Sequence, residues 1–168
     1  MNQMTIDFPI TPEMNLRVGV DIVRVERIRT AVRRRGAGFM RRIWTPDELS
    51  YCKNDDDWNY ESLTARYAAK EAVAKALGTG LWGPEGVTFL DIEVYRDIEV
   101  DPRNEAERTS RGEPKYVGPS HLRLSGKARA RYLALNGSSA GISLSHDGEY
   151  AVAFCVIEIE HDGMRIKT

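Results

Sequence analysis

The chain has 168 residues, 42% of them hydrophobic and 29% charged, with a formal net charge of −1 at pH 7. That length suits one domain with its own core, and the near-neutral balance provides no overall field for nucleic acid. No stretch approaches the roughly 20 apolar residues a membrane helix needs, and the start shows no basic region followed by an apolar run, so no membrane or secreted role is expected.

Residues 1–15 are polar, carry Pro9 and Pro12, and read as an extension. Residues 16–23 alternate as a strand. Leu16, Val18, Val20 and Ile22 form its main apolar stripe, and Arg17, Gly19, Asp21 and Val23 take the other face. A carboxylate at Asp21 has to be solvated, paired or bound to a cation, because an unpaired buried charge is too expensive. Gly19, on the same face, leaves open space beside it.

From Arg24 to Arg42 the chain is basic, with Glu26 as the single acid. Val25, Ile28 and Val32 recur at helical spacing and anchor this helix, while Arg24, Arg27 and Arg34 project together from its outer side. A solvated face is the ordinary reading of such a run. The one-sidedness points instead to an acidic partner: a protein surface, nucleic acid or a phosphorylated ligand. No aromatic residues interleave with the arginines from Arg24 to Arg35 to stack bases, which disfavours single-stranded nucleic acid.

Thr45-Pro46-Asp47-Glu48 is a helix start with a capping box. Asp55-Asp56-Asp57 lacks the ligand spacing of a calcium loop and reads as a solvated turn. Residues 66–78 are alanine-rich, without an internal Gly or Pro, and read as a helix stopped by Gly78, with Gly80 in the loop beyond. Ala69, Val73 and Ala76 share a core stripe; Tyr67, Glu71, Lys75 and Gly78 line another face one turn apart. By spacing alone, Glu71 and Lys75 read as a surface ion pair.

The glycine-rich stretch 78–84 follows a helix, so it is neither a P-loop nor a dinucleotide fingerprint, although its amides and Thr79 could approach a phosphate. Residues 87–95 alternate as a strand with Leu90, Ile92 and Val94 on one face. Residues 97–113 are charged and aperiodic, a long insertion. Short extended pieces at 115–117 and 121–124 precede a helix over 125–135, closed by Asn136-Gly137. Residues 140–146 alternate, Asp147-Gly148 signals a tight turn, and the near-continuous apolar run 150–157 predicts a central strand. His146, at the mouth of that turn, either makes a local hydrogen bond or reaches a neighbouring site. Residues 161–168 form a tail. Cys52 and Cys155 form no CxxC pair, which suits a reducing, cytoplasmic setting. The fold class expected is α+β, a small antiparallel or mixed sheet with helices packed on one side.

Three patches in order, Val18-Gly19-Val20-Asp21-Ile22-Val23, Arg66-Tyr67-Ala68-Ala69-Lys70-Glu71-Ala72-Val73-Ala74-Lys75-Ala76 and Ile142-Ser143-Leu144-Ser145-His146, resemble the 4′-phosphopantetheinyl transferases. The resemblance is closest to the small holo-[acyl-carrier-protein] synthase type and runs through most of residues 17–158; only the N-terminal extension and the 97–113 insertion depart from it. It implies transfer of phosphopantetheine from coenzyme A to a serine of an apo acyl carrier protein, releasing adenosine 3′,5′-bisphosphate. Asp21 and Glu71 match the family's ligands for Mg²⁺, with Val23 where longer members place a further acid. Lys75 would stabilise pyrophosphate charge and could protonate the leaving group. The base is left open between Glu71 and a metal-bound water. His146, with Ser145, would reach the coenzyme A phosphates; Arg66, Lys70, Gly78 and Gly80 would be further contacts. Arg27, with Arg24 and Arg34, would bind the acidic helix of the carrier protein. Small members form homotrimers with sites between subunits. Two readings from other classes stay open: a Mg²⁺-dependent hydrolase of a nucleotide pyrophosphate, and a non-catalytic docking module.

Overall fold

The computed structural model describes residues 15–55, 57–82, 86–98 and 116–160. The N-terminal extension up to residue 14, nearly all of the 97–113 insertion and the C-terminal tail lie outside the described residues.

The apolar run near the C-terminus forms β7 (Tyr150–Ile159), which pairs antiparallel with both β1 (Leu16–Arg24) and β6 (Gly137–Asp147), giving a three-stranded sheet of order β1-β7-β6. Its central place is the one its composition predicts. The connecting turn is Gly148-Glu149, with Asp147 opposite Tyr150 and Gly148 at φ 51. The turn is thus displaced by one residue from the predicted Asp147-Gly148, because Asp147 is kept in the ladder.

Between β1 and β6 the chain forms α1 (Val25–Ile43), α2 (Pro46–Cys52), the short hairpin β2 (Lys53–Asn54) and β3 (Asp57–Trp58), α3 (Tyr60–Leu77), the pair β4 (Ile92–Ile98) and β5 (Tyr116–Leu124), and α4 (Gly126–Ala134). Residues 87–91 are not a strand. Phe89–Asp91 make a 3-10 turn in which Asp91 accepts from Thr88 N, and Leu90 is left 43% exposed. The extended pieces predicted after the insertion are one continuous β5. Gly36, at φ 63 and ψ −159, breaks α1 within its arginine-rich run. No helix among the described residues is long and apolar enough to cross a membrane.

Helix α3 crosses the inner face of the sheet and also meets α1, α2 and β4. It is buried nearly all round, including Leu63, Ala68, Ala69, Ala72, Val73, Ala74 and Leu77. Alanines on several faces let neighbouring elements approach closely from each side, which a one-stripe amphipathic helix does not allow.

The faces of β1 are reversed from expectation. The side carrying Arg17, Gly19, Asp21 and Val23 meets α3, whereas Leu16, Val18, Val20 and Ile22 are 49–64% exposed. A Cβ on Gly19 would lie 2.0 Å from the Ala72 carbonyl oxygen and 2.8 Å from the Ala76 nitrogen, so helix backbone fills the space expected to be open. Alternation separates two faces but does not say which one is covered.

The capping box at Thr45 and Glu48 is present, and Glu48 does more than cap. Fully buried, it accepts from Thr45 N at 2.9 Å and Val94 N at 3.0 Å and pairs with Lys70 Nζ at 2.7 Å. Lys70 donates in turn to the carbonyls of Phe89 at 2.9 Å and Ile92 at 2.5 Å. Burial pushes the Lys70 pKa down and Glu48 opposes that shift. With its polar atoms satisfied, the pair joins α2, α3 and β4.

Candidate active site

Close approach of α3 to β1 at Gly19 brings side chains from the two elements together. Lys75 Nζ, from the last turn of α3, donates to Asp21 Oδ1 at 2.8 Å and to the Val20 carbonyl at 2.9 Å. The lysine therefore reaches across to the strand instead of completing the surface pair with Glu71 that spacing suggests. Glu71, one turn earlier and half-buried, accepts from the Tyr67 hydroxyl at 3.5 Å. Burial raises the Glu71 pKa first, and the charge of Asp21 raises it further, against Lys75 and the Tyr67 hydrogen bond. Two carboxylates and an amine thus share one electrostatic neighbourhood.

That donor set suits a hard divalent cation. Asp21 and Glu71 offer oxygens only, and a cation between them would relieve the repulsion that raises Glu71. Val23 is buried in the core, and no group of three or more His, Cys, Asp and Glu occurs among the described residues, so water or substrate oxygens would fill the remaining positions of Mg²⁺.

His146 is not with these acids in the chain. Its Nδ1 lies 3.1 Å from Glu61 Oε2 at the start of α3, about 15 Å along the helix axis from Glu71 at roughly 1.5 Å per residue. β7 separates the two strands that carry His146 and Asp21. Ser145, opposite Val152, belongs to the exposed face of the sheet.

The structure corrects two expected coenzyme A contacts. Lys70 is fully buried on Glu48 and two carbonyls, and Arg66 is 4% exposed with its guanidinium 3.7 Å over the Tyr51 ring. Neither charge is open to solvent in the chain, because α3 is covered on the side that carries them. Gly78 and Gly80 are also committed. Gly78, at φ 73, donates to Lys75 O at 3.0 Å, and Gly80 to Ala74 O at 3.4 Å, closing the C-terminus of α3. Arg17 and Arg131 cap the Ala76 and Leu77 carbonyls. These amides are therefore not offered to a phosphate.

Of the arginines, Arg27 and Arg34 line one groove of about 900 Å³, together with Phe39, Tyr67, Trp82 and Phe89. Arg27 sits 5.8 Å from the Tyr67 ring centroid. Arg24 stands apart from them. It precedes α1 in extended conformation, and its Nη2 donates to the Tyr150 hydroxyl at 2.5 Å. Tyr67, Glu61 and Trp82 were not singled out by sequence as site residues. Only Tyr67 carried a signal, one turn before Glu71 on the same face.

The family model for the 4′-phosphopantetheinyl transferase superfamily matches residues 17–155. A holo-[acyl-carrier-protein] synthase of Ruminiclostridium cellulolyticum is 37% identical over 146 residues, 87% of this chain and 94% of that protein. One from Chloroflexus aurantiacus is 42% identical over 141 residues, 82% of this chain and 94% of that protein. The crystal structure of the Helicobacter pylori holo-[acyl-carrier-protein] synthase in complex with coenzyme A superposes with a TM-score of 0.61 at 30% identity, covering 84% of this chain and 99% of that one. With the α+β architecture and the acids and lysine of β1 and α3 in place, the chain belongs to the 4′-phosphopantetheinyl transferase superfamily and is of the holo-[acyl-carrier-protein] synthase type.

Proposed function

We propose that the chain moves 4′-phosphopantetheine from coenzyme A to a serine of an apo acyl carrier protein and releases adenosine 3′,5′-bisphosphate, with Mg²⁺ held by Asp21 and Glu71. The observation that carries this reading is the convergence of Asp21, Lys75 and Glu71 across β1 and α3, in a chain whose relatives bear that activity in their names. The serine oxygen attacks the phosphorus that bears pantetheine, and the bond from that phosphorus to the bridging oxygen breaks. The electron pair leaves with the adenosine bisphosphate. Lys75 faces the site with an ammonium that stabilises the charge on the leaving phosphate. The serine proton would go to Glu71 or to a water held beside it. When bound, Mg²⁺ supplies a fixed positive charge against the pyrophosphate.

Arg27 and Arg34 in the groove beside Tyr67 offer the cationic side of a dock for an acidic carrier helix. The working form is a homotrimer with sites shared between subunits. Two features support it: His146 lies away from its own chain's acids, and Val18, Val20, Ile22, Val152 and Phe154 leave a contiguous apolar sheet face uncovered. The setting is cytoplasmic, in keeping with two buried free thiols.

The test is mass spectrometry of a panel of apo carrier proteins incubated with coenzyme A and Mg²⁺. A gain of one phosphopantetheine group on a carrier serine is expected. Turnover of coenzyme A without any carrier protein would overturn the reading in favour of a hydrolase.

A further inference from the structure

Trp82 is 72% exposed, the highest value for a large apolar side chain among the described residues. Its backbone sits at φ 77, a left-handed conformation that a bulky residue rarely adopts and that persists only when its surroundings enforce it. Those surroundings are visible. Val87 N donates to Gly80 O at 3.2 Å, Leu81 and Val87 form a bridge, and a Cβ on Gly86 would lie 2.5 Å from the Trp82 carbonyl oxygen. Residues 80–82 thus lie close against residues 86–87, with the indole left outward.

The indole is also oriented. It meets the buried Phe89 edge-on, with centroids 5.4 Å apart, and Phe89 packs on Tyr67 at 5.0 Å. Tyr67 carries Arg27 over its ring and reaches Glu71 with its hydroxyl. An exposed tryptophan, an apolar floor of Phe39, Val87 and Phe89, and a rim of Arg27, Arg34 and Arg42 therefore bound one groove, and Tyr67 in its lining links it to Glu71. That combination is complementary to an amphipathic helix whose polar side is acidic.

Building on the proposed carrier-protein reaction, we propose that Trp82 is a specificity-determining contact for that partner: its indole takes the apolar side of the docked helix while Arg27 and Arg34 take its acids. Exposed tryptophans beside arginines are frequent energetic centres of interfaces. Trp82 is thereby the second anchor of the dock, supplied by the loop after α3 and not by α1.

The experiment uses the full chain, coenzyme A and a tryptophan-free apo acyl carrier protein. Trp82→Ala should raise the KM for carrier about tenfold, with kcat and calorimetric coenzyme A affinity retained, and Trp82→Phe should recover most of the loss. In the unmodified chain, carrier should shield the exposed indole from acrylamide quenching, with the quenching that remains in Trp82→Phe giving the background from buried Trp44 and partly buried Trp58; Trp82→Phe keeps this readout available even if Trp82→Ala folds poorly. Unchanged KM and unchanged quenching, with Arg27→Glu still impaired, would overturn the role of Trp82 and leave the transferase reading intact. Unchanged KM in both Trp82→Ala and Arg27→Glu would remove the groove as the dock. Absence of transfer to any carrier would sink the transferase reading and this inference with it.

Discussion

Lys75 Nζ lies 2.8 Å from Asp21 Oδ1, across from helix to strand, although Glu71 is its neighbour one turn away. The lysine is therefore an element of the site and not a helix-surface pair. Lys75→Met should lower kcat about 100-fold while tightening Mg²⁺ binding, since a cation competing for Asp21 is removed. Steady-state kinetics and calorimetry with the metal alone read the two effects separately.

Because burial and Asp21 raise the Glu71 pKa above its ordinary value, between those two values the folded protein holds more proton there than the unfolded chain does. Stability of the metal-free protein should then fall as pH rises from the ordinary glutamate range through the raised value, and level off above it. Thermal melting across that window should show this slope in the unmodified chain and lose it in Glu71→Gln. Added Mg²⁺ should flatten it as well.

Lys70 and Glu48 form a buried pair with no solvent-facing atom. Lys70→Met and Glu48→Gln should each destabilise the fold by about 3–5 kcal/mol, and the double substitution by less than their sum. Denaturant titration measures this. The KM for coenzyme A should be unchanged in any variant that folds, because the lysine is enclosed by Glu48 and two carbonyls.

Arg27→Glu should raise the KM for carrier protein about tenfold or more, leaving coenzyme A affinity intact. Arg24→Glu should have a much smaller effect, since that guanidinium is held at the hairpin by Tyr150 and does not line the groove. Carrier-concentration series on the two variants make the comparison.

Mixing inactive Glu71→Gln protein with inactive His146→Ala protein should restore part of the activity if neighbouring subunits share sites. An aspartate at Ile22 or Phe154, in the uncovered apolar face, should abolish both the proposed trimer and this complementation. Light scattering and activity on the same mixtures check it.

Much of the candidate site was legible because its residues sit on regular elements. The period of two on β1 and the one-turn spacing of Tyr67, Glu71 and Lys75 set these residues out before any fold was known. The central strand β7 and the capping box at Thr45 were equally readable. What failed has one physical source: burial is decided by which elements meet. The larger residues of β1 look like the inward face, yet a glycine is what a crossing helix requires. Lys70 and Arg66 look like surface charges, yet α3 is enclosed on their side, with Glu48 and Tyr51 waiting from distant positions. Glu48, read as a cap, gave no hint of its second partner.

Gly19 and Ala72 touch main chain to main chain, with no side chain between them. The gap between strand and helix is consequently a hard-sphere dimension, not one negotiated by rotamers, and substitutions elsewhere in the interior have little leverage over it. Gly19→Ala would have to force the two backbones apart, costing about 1–3 kcal/mol or more. The same wedge would widen the distance from aspartate to lysine, so this small methyl should erase turnover well before it unfolds the protein.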